Sequence, residues 1–344
     1  MMHMREIYMQ RCIDLAKLSD NKVMTNPNVG ALLVYQNKII GEGFHREFGK
    51  PHAEINAIES VSKINRYKIP DSTLYVTLEP CSHYGKTPPC SKRIVDEGIK
   101  NVVIGCEDPN PLVAGNGISF LKKNGVFVVK STLEKDCDEL ISPFKANLKQ
   151  RPYIVLKWAQ SYDNYISREN EQTWLSNKYS RILVHKWRSE SDGIMIGINT
   201  ALIDRPKLDV RYYYGSDPVK IIMDSSLNGK EYYNEIESGS KTIIFNEVKN
   251  DRKQNIDFIK TNDTSELNNV LAVLFEKGIN TLMVEGGASI LTSFINANLW
   301  DEARIIKTKI KLGNGIGSPN VTGYLKNRIF LIDDEILTVK NKSW

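Results

Sequence analysis

No run in this 344-residue chain approaches the ~18 consecutive apolar positions of a membrane-spanning helix. The opening stretch, Met1 to Gln10, carries charges and lacks the apolar segment of a secretory leader. Cysteine is scarce: Cys12, Cys81, Cys90, Cys106 and Cys137 are an odd number without regular spacing. That argues against a disulfide framework and for a reducing compartment, so a cytoplasmic protein is expected. There is no internal repeat, no low-complexity tract and no basic stripe. The net charge is only +5, with lysines interspersed among acids, so neither nucleic acid nor a membrane is an expected partner. This mild positive balance is compatible with a phosphorylated substrate. Hydrophobic residues at 41% and charged residues at 25% describe a globular protein, and the length suits two domains.

Two short stretches carry the chemistry. One is Pro51-His52-Ala53-Glu54; the other runs Glu79-Pro80-Cys81, a polar loop, then Pro88-Pro89-Cys90. One imidazole and two thiols, from His52, Cys81 and Cys90, form the three-ligand set of a catalytic zinc with its fourth position left to water. Glu54, two residues past the histidine, is placed as the proton carrier. The pattern is that of zinc nucleobase deaminases, in which the glutamate is general acid and base and not a ligand. The cysteine spacing is wider here than in the generic motif. A zinc-stabilised binding module is the rival from another class. It needs a closed four-ligand site, for which only His83 offers itself.

In chain order, Arg5 to Ser19 is predicted to be an amphipathic helix with Ile7, Tyr8, Cys12, Leu15 and Leu18 inward. A polar turn containing Asn26 precedes a hairpin, Ala31–Tyr35 with Ile39–Gly43. Asn26 reads either as a turn former or as an amide that contacts a base. His52 opens a helix, Leu74–Leu78 is a buried strand, and a helix follows Cys90 and stops at Gly98. Strand 101–105, helix 117–124 and strand 126–129 complete an alternating three-layer α/β pattern. Asp136 to Leu148 reads as one connecting helix, and Arg151-Pro152 marks a boundary. Strands then recur at 153–156, 193–198, 219–223, 242–245 and 281–284, with helices at 178–187, 266–277 and 288–297. Glu285-Gly286-Gly287, between a strand and a helix, fits a phosphate cradle or a plain tight turn.

On these residues the sequence resembles the bifunctional deaminase–reductases of riboflavin biosynthesis over nearly its whole length. Val76 to Cys90, with its long gap between cysteines, is similar to that family's form of the zinc motif. Asp108-Pro109-Asn110-Pro111 and Val113 to Gly117 match as well. The second half matches in Leu156 to Ala159, Ser161-Tyr162-Asp163, Trp174-Leu175-Ser176, Arg188 to Asp192, Gly197 to Thr200 and Val284 to Gly287. The resemblance implies an α/β protein with a cytidine-deaminase-like α/β/α zinc domain over 1–148. A dihydrofolate-reductase-like NADPH domain would span 149–344.

It implies deamination of a diaminopyrimidinone ribosyl phosphate, then reduction of its ribose to ribitol. Expected cofactors are Zn2+ and NADPH, the expected substrates small phosphorylated pyrimidines, and the expected assembly a homodimer or larger. By position it puts NADPH against Ala159, Trp174, Thr200, Asp204, Ser225 and Gly287. Substrate is put against Gln172, Arg188, Leu208, Arg211 and Glu285, joined by Asn26 in the first domain. Arg188 and Arg211 are the expected phosphate anchors. Asp204 is also a candidate for positioning the ribose during proton delivery. Three positions depart from the family pattern: Asn164 for a glycine, Arg205 for an aspartate, and Gln172 for a serine. Asparagine tolerates a left-handed turn, so the geometry at 164 is expected to hold.

Overall fold

The computed structural model describes residues 4–19, 25–84, 88–111, 113–131, 133–169, 171–236 and 239–342. The motif residues Gly85, Lys86 and Thr87 lie outside them. The chain divides into two compact units, Met1–Lys149 and Gln150–Trp344.

The first unit begins with α1 (Met4–Ala16). Its buried stripe is Tyr8, Met9, Cys12, Ile13, Leu15 and Ala16, whereas Ile7 and Leu18 are exposed. The expected face is therefore rotated, because the 8-9-12-13-16 spacing makes a wider apolar stripe than the one through Ile7. The strands β1 (Gly30–Tyr35) and β2 (Lys38–Phe44) form the expected hairpin. Gln36 and Asn37 both take positive φ at its turn, the geometry that suits a two-residue hairpin loop. There follow α2 (Ala53–Ser60), β3 (Thr73–Leu78), α3 (Cys90–Asp96), β4 (Asn101–Cys106), α4 (Asn116–Lys123) and β5 (Phe127–Lys130). The sheet order is β2-β1-β3-β4-β5, with β3, β4 and β5 parallel. The expected connecting helix is two, α5 (Glu134–Leu140) and α6 (Ser142–Leu148). Pro143 breaks it, since proline suits only a first helical turn. The core around Leu32, Leu33, Ile58, Val76, Ile94 and Ile104 fixes the sheet between its helices.

The second unit runs β6 (Tyr153–Gln160), β7 (Tyr165–Ser167), α7 (Lys178–Ser189), β8 (Gly193–Gly197), α8 (Ile198–Asp204), β9 (Val219–Met223), α9 (Lys230–Ile236) and β10 (Thr242–Asn246). It continues with β11 (Asp251–Lys253), β12 (Ile256–Lys260), α10 (Leu267–Glu276), β13 (Thr281–Val284), α11 (Ala288–Asn296), β14 (Glu302–Lys307), β15 (Ile316–Gly317), β16 (Gly323–Leu331) and β17 (Asp334–Asn341). Ten strands make one sheet in the order β11-β12-β10-β9-β8-β13-β6-β14-β17-β16. From β12 to β14 the strands are parallel, so their carboxyl ends share one edge. In open α/β sheets that edge is where ligands bind. Asn177 caps α7 by accepting from the N–H groups of Tyr179 and Ser180.

Candidate active sites

In the first unit the elements converge on one cluster. His52 is the N-cap of α2, Cys81 follows β3, and Cys90 opens α3. The ligand atoms of these three residues all lie within 4.8 Å of one another. Nδ1 of His52 stands 3.7 Å from Sγ of Cys81 and 3.4 Å from Sγ of Cys90. Zn–S and Zn–N bonds at a tetrahedral angle require about 3.6 Å between sulfur and nitrogen. The donor set therefore fits zinc in both chemistry and spacing. Among the described residues this is the one group of three metal-ligating side chains, and it is open to a cavity of about 230 Å³ rather than closed by a fourth ligand.

The three side chains interact electrostatically. The hydrogen bond with Cys90 lowers the Cys81 thiol, and His52 adds to the effect, so Cys81 has thiolate character. The backbone N–H of Cys90 donates to that sulfur at 3.2 Å. The bond with Cys81 lifts the His52 imidazole to about 9. Glu54 is only 4% exposed, and burial pushes its carboxyl up to about 7.

Asn26 lines the same cavity, and its amide nitrogen lies 3.0 Å from Nε2 of His45. Nδ1 of His45 lies 3.2 Å from the carbonyl of Pro51, and its ring stands edge-on to His52. The carbonyl can only accept, so Nδ1 carries the proton and Nε2 accepts from Asn26. The amide oxygen of Asn26 is thereby left for other partners. His83, the candidate fourth ligand, lines the cavity and is not in the cluster.

Sequence reasoning missed Glu79. Its buried carboxylate accepts backbone N–H bonds from Asp108 at 3.3 Å, Gly115 at 3.0 Å and Ile118 at 3.0 Å. This ties the 108–118 segment to the strand end that carries Cys81. Gly117 closes the same junction: a Cβ there would fall 2.0 Å from the carbonyl oxygen of Pro80.

In the second unit several of the candidate residues follow the carboxyl ends of parallel strands. Ala159 is near the end of β6, Thr200 lies in α8 after β8, Ser225 follows β9, and Glu285 to Gly287 follow β13. The N–H of Gly287 donates to Oγ1 of Thr200 at 2.9 Å, and a Cβ on Gly286 would meet Ile196 at 2.7 Å. Both glycines are thus required by the close approach of this turn to β8 and α8 at the start of α11. Gln172 donates to the carbonyl of Asp204 at 3.2 Å, and burial raises the Asp204 carboxyl. Trp174 is exposed, with Arg181 over its ring. Leu208 is buried at a φ of 52°.

Arg188 and Arg211 differ sharply. Nε and Nη2 of Arg188 form a paired bridge to Glu285, at 3.0 and 2.7 Å, and Nη1 donates to the carbonyl of Asp209. Its fork therefore faces a buried carboxylate instead of an incoming phosphate. Arg211 is more exposed; it pairs with Asp209 and lies over the Tyr212 ring. Burial alone would push the Glu285 carboxyl up, but Arg188 and Lys157 hold it down to about 2. Lys157 on β6 is a second residue that sequence reasoning missed. Burial lowers its ammonium, Glu285 opposes that, and Arg188 adds to it. The departures from the family pattern are accommodated. Asn164 takes a left-handed φ of 64°, as expected, and its side chain accepts from Gln160. Arg205 pairs with Glu231 and Glu235 of α9.

Comparison with known proteins finds relatives along both units. Residues 2–106 match the cytidine and deoxycytidylate deaminase zinc-binding region, and residues 152–342 match the RibD C-terminal domain. The riboflavin biosynthesis protein RibD of Bacillus amyloliquefaciens is 35% identical over 332 residues, covering 93% of this chain and 88% of that protein. RibD of Aquifex aeolicus is 36% identical over 319 residues, covering 90% and 88%. The crystal structure of a diaminohydroxyphosphoribosylaminopyrimidine deaminase/5-amino-6-(5-phosphoribosylamino)uracil reductase from Thermotoga maritima superposes with a TM-score of 0.86 at 33% identity, covering 98% of this chain and 99% of that one. With a zinc-type cluster in one unit, a strand-edge cluster in the other, and relatives matched along both, the chain belongs to the RibD family of riboflavin biosynthesis proteins.

Proposed function

We propose that the two clusters carry the two successive steps of a bifunctional deaminase–reductase in riboflavin biosynthesis. The boundary would fall near residues 148–149. The first unit hydrolyses the amine of 2,5-diamino-6-(5-phosphoribosylamino)pyrimidin-4-one to give 5-amino-6-(5-phosphoribosylamino)uracil. The second reduces the ribose of that product to ribitol phosphate. The observation that carries this reading is the three-ligand cluster with a buried glutamate beside it, in a chain whose second unit is a reductase domain.

His52, Cys81 and Cys90 would hold the zinc. When bound, zinc lowers the pKa of its water towards neutrality. Glu54 receives a proton and returns it, first to the ring nitrogen and then to the departing ammonia. Its raised pKa suits a group that must do both near pH 7. The amide of Asn26, oriented by His45, contacts the pyrimidine.

In the second unit NADPH supplies the hydride. Ala159, Trp174, Thr200, Asp204, Ser225 and Gly287 would line its site. Arg211 anchors the 5-phosphate, while Arg188 and Glu285 orient the sugar with Gln172 and Leu208 alongside. Lys157, a cation with a lowered pKa next to Glu285, is suited to give the carbonyl oxygen its proton. Asp204 then positions the ribose.

The substrates are small phosphorylated pyrimidines, and no described helix is long and apolar enough to cross a membrane. Cytoplasmic location and a homodimer or larger assembly belong to the same proposal. The exposed outer strand β16, with Tyr324, Leu325 and Phe330, favours self-association. Incubating the purified protein with the diaminopyrimidinone, with and without NADPH, tests the whole reading. Ammonia should appear in both cases and NADPH consumption only after it. Absence of ammonia release would refute the first step.

A further inference from the structure

His185 lies on α7 one turn before Arg188, facing the reductase cluster, and no step above uses it. Its ring is 4% exposed, and its Nδ1 is buried with no hydrogen-bond partner among the described residues. Burying an unpaired polar atom costs stability, so a hydrogen bond within the fold does not account for a histidine here. Its ring is in a defined contact instead. It meets the Tyr212 ring edge-on, with centroids 4.8 Å apart and planes at 75°. The same Tyr212 ring carries the Arg211 guanidinium, 4.9 Å from its centroid.

We infer that His185 is a positioning residue for substrate binding: it holds Tyr212 edge-on, and through Tyr212 it sets the Arg211 guanidinium that receives the substrate's phosphate. The inference rests on the reductase reading above. Residues three apart on a helix share a face. From that face Arg188 holds the 209–212 segment at one end, by donating to the carbonyl of Asp209 at 3.1 Å. His185 holds it at the other end, at Tyr212. Arg211 lies between the two points, with the Asp209 carboxylate as its ion-pair partner. A flexible arginine on an exposed loop would have to be ordered by the substrate at an entropic cost; one held in place beforehand does not.

The charged groups around His185 are Arg188 on its own helix, Arg211 and Asp209 on the facing segment, and Glu285 after β13. Burial first, and then the two guanidiniums, hold the imidazole below its usual range. The ring is therefore neutral at pH 7, and its contribution is shape rather than a third positive charge.

Steady-state reduction of 5-amino-6-(5-phosphoribosylamino)uracil by the full chain tests this, together with NADPH binding followed by fluorescence and thermal unfolding. His185→Ala should raise KM for the phosphorylated substrate by about tenfold, with kcat and NADPH affinity retained. That is the size expected when a contact to a charged group is weakened. His185→Phe, which keeps a ring edge, should restore KM. Because His185 acts through Arg211, the double variant His185→Ala/Arg211→Ala should have the KM of Arg211→Ala alone. If His185→Ala does not fold, His185→Gln, which lacks a ring, gives the same reading. An unchanged KM in the ringless variant overturns the inference, as does a double variant in which the two effects multiply. If Arg211→Ala raises KM and His185→Ala does not, only the inference fails. If Arg211→Ala itself leaves KM unchanged, the phosphate anchor of the reductase reading fails with it.

Discussion

The carboxylate of Glu79 at the end of β3 accepts the backbone N–H of Ile118 in the first turn of α4, at 3.0 Å. Two further N–H groups, of Asp108 and Gly115, meet the same side chain. One buried carboxylate thus fastens three points of a segment that borders the cavity. Glu79→Ala should leave three backbone donors without their acceptor, that of Ile118 fully buried, and destabilise the first unit by roughly 1–3 kcal/mol. The denaturant midpoint checks it, with an unchanged slope as the sign that only stability has moved. A midpoint equal to that of the unaltered chain would show that the clamp is dispensable.

Zinc content decides the ligand assignment. Cys81→Ser and Cys90→Ser should each lose the metal and ammonia release together, because the hydroxyl is a far poorer zinc ligand than a thiolate. Metal analysis of the purified variants reads this directly; full zinc content in both would refute the assignment.

Glu54→Gln keeps the shape of the side chain and removes its proton chemistry. Zinc should stay, and the deamination rate should fall by on the order of 10²–10⁴, the usual loss for a general acid and base. A retained rate would mean that another group moves the proton.

The half-reactions should separate by unit. Arg211→Ala and Asp204→Asn should cripple NADPH oxidation on the deaminated substrate and leave ammonia release intact, while Glu54→Gln does the reverse. Assaying each half-reaction on the three variants tests the assignment, and loss of both activities in any one of them would contradict it.

Glu285 makes an acid-side prediction. Its folded pKa, about 2, lies below the ordinary glutamate value of about 4.3. The stabilisation from its bridge to Arg188 is therefore fully present above that ordinary value and is lost as pH falls through the folded one. The stability gap between the unaltered chain and Glu285→Gln should be wide at pH 6 and narrow between pH 4 and 2. Urea titrations across that range measure it; a gap independent of pH would show that the bridge is not ionic.

Much of this was legible in the sequence. His52, Cys81 and Cys90 could be read together because zinc restricts both the residue types and their local proline context. The alternating strands of both units were readable because buried strands are apolar runs between turn signals. The single helix expected over 136–148 overlooked Pro143. Of the strands missed beyond Asn296, β16 is exposed along most of its length and its sequence lacks the alternation of a half-buried strand. Lys157 escaped because a lone charged residue in a strand pattern looks like a solvent-facing one, and Glu79, though inside the zinc motif, gave no sign of its role because the N–H groups it holds lie 29 to 39 residues further on. Arg188 was read as a phosphate anchor because its partner, Glu285, lies 97 residues away in the chain.

Gly117 gives the deaminase unit a vulnerable position with no chemistry of its own. The residue touches neither the zinc ligands nor Glu54, yet its missing side chain is what lets α4 lie against the Pro80 carbonyl, one residue before Cys81. Drift at this position is therefore confined to glycine as tightly as if it were a ligand. A survey of variants that scored only residues around the metal would pass over it. An inactive natural variant altered at 117 would then be a packing lesion that displaces Cys81, repairable by changes in the 108–118 segment and not by supplying more zinc.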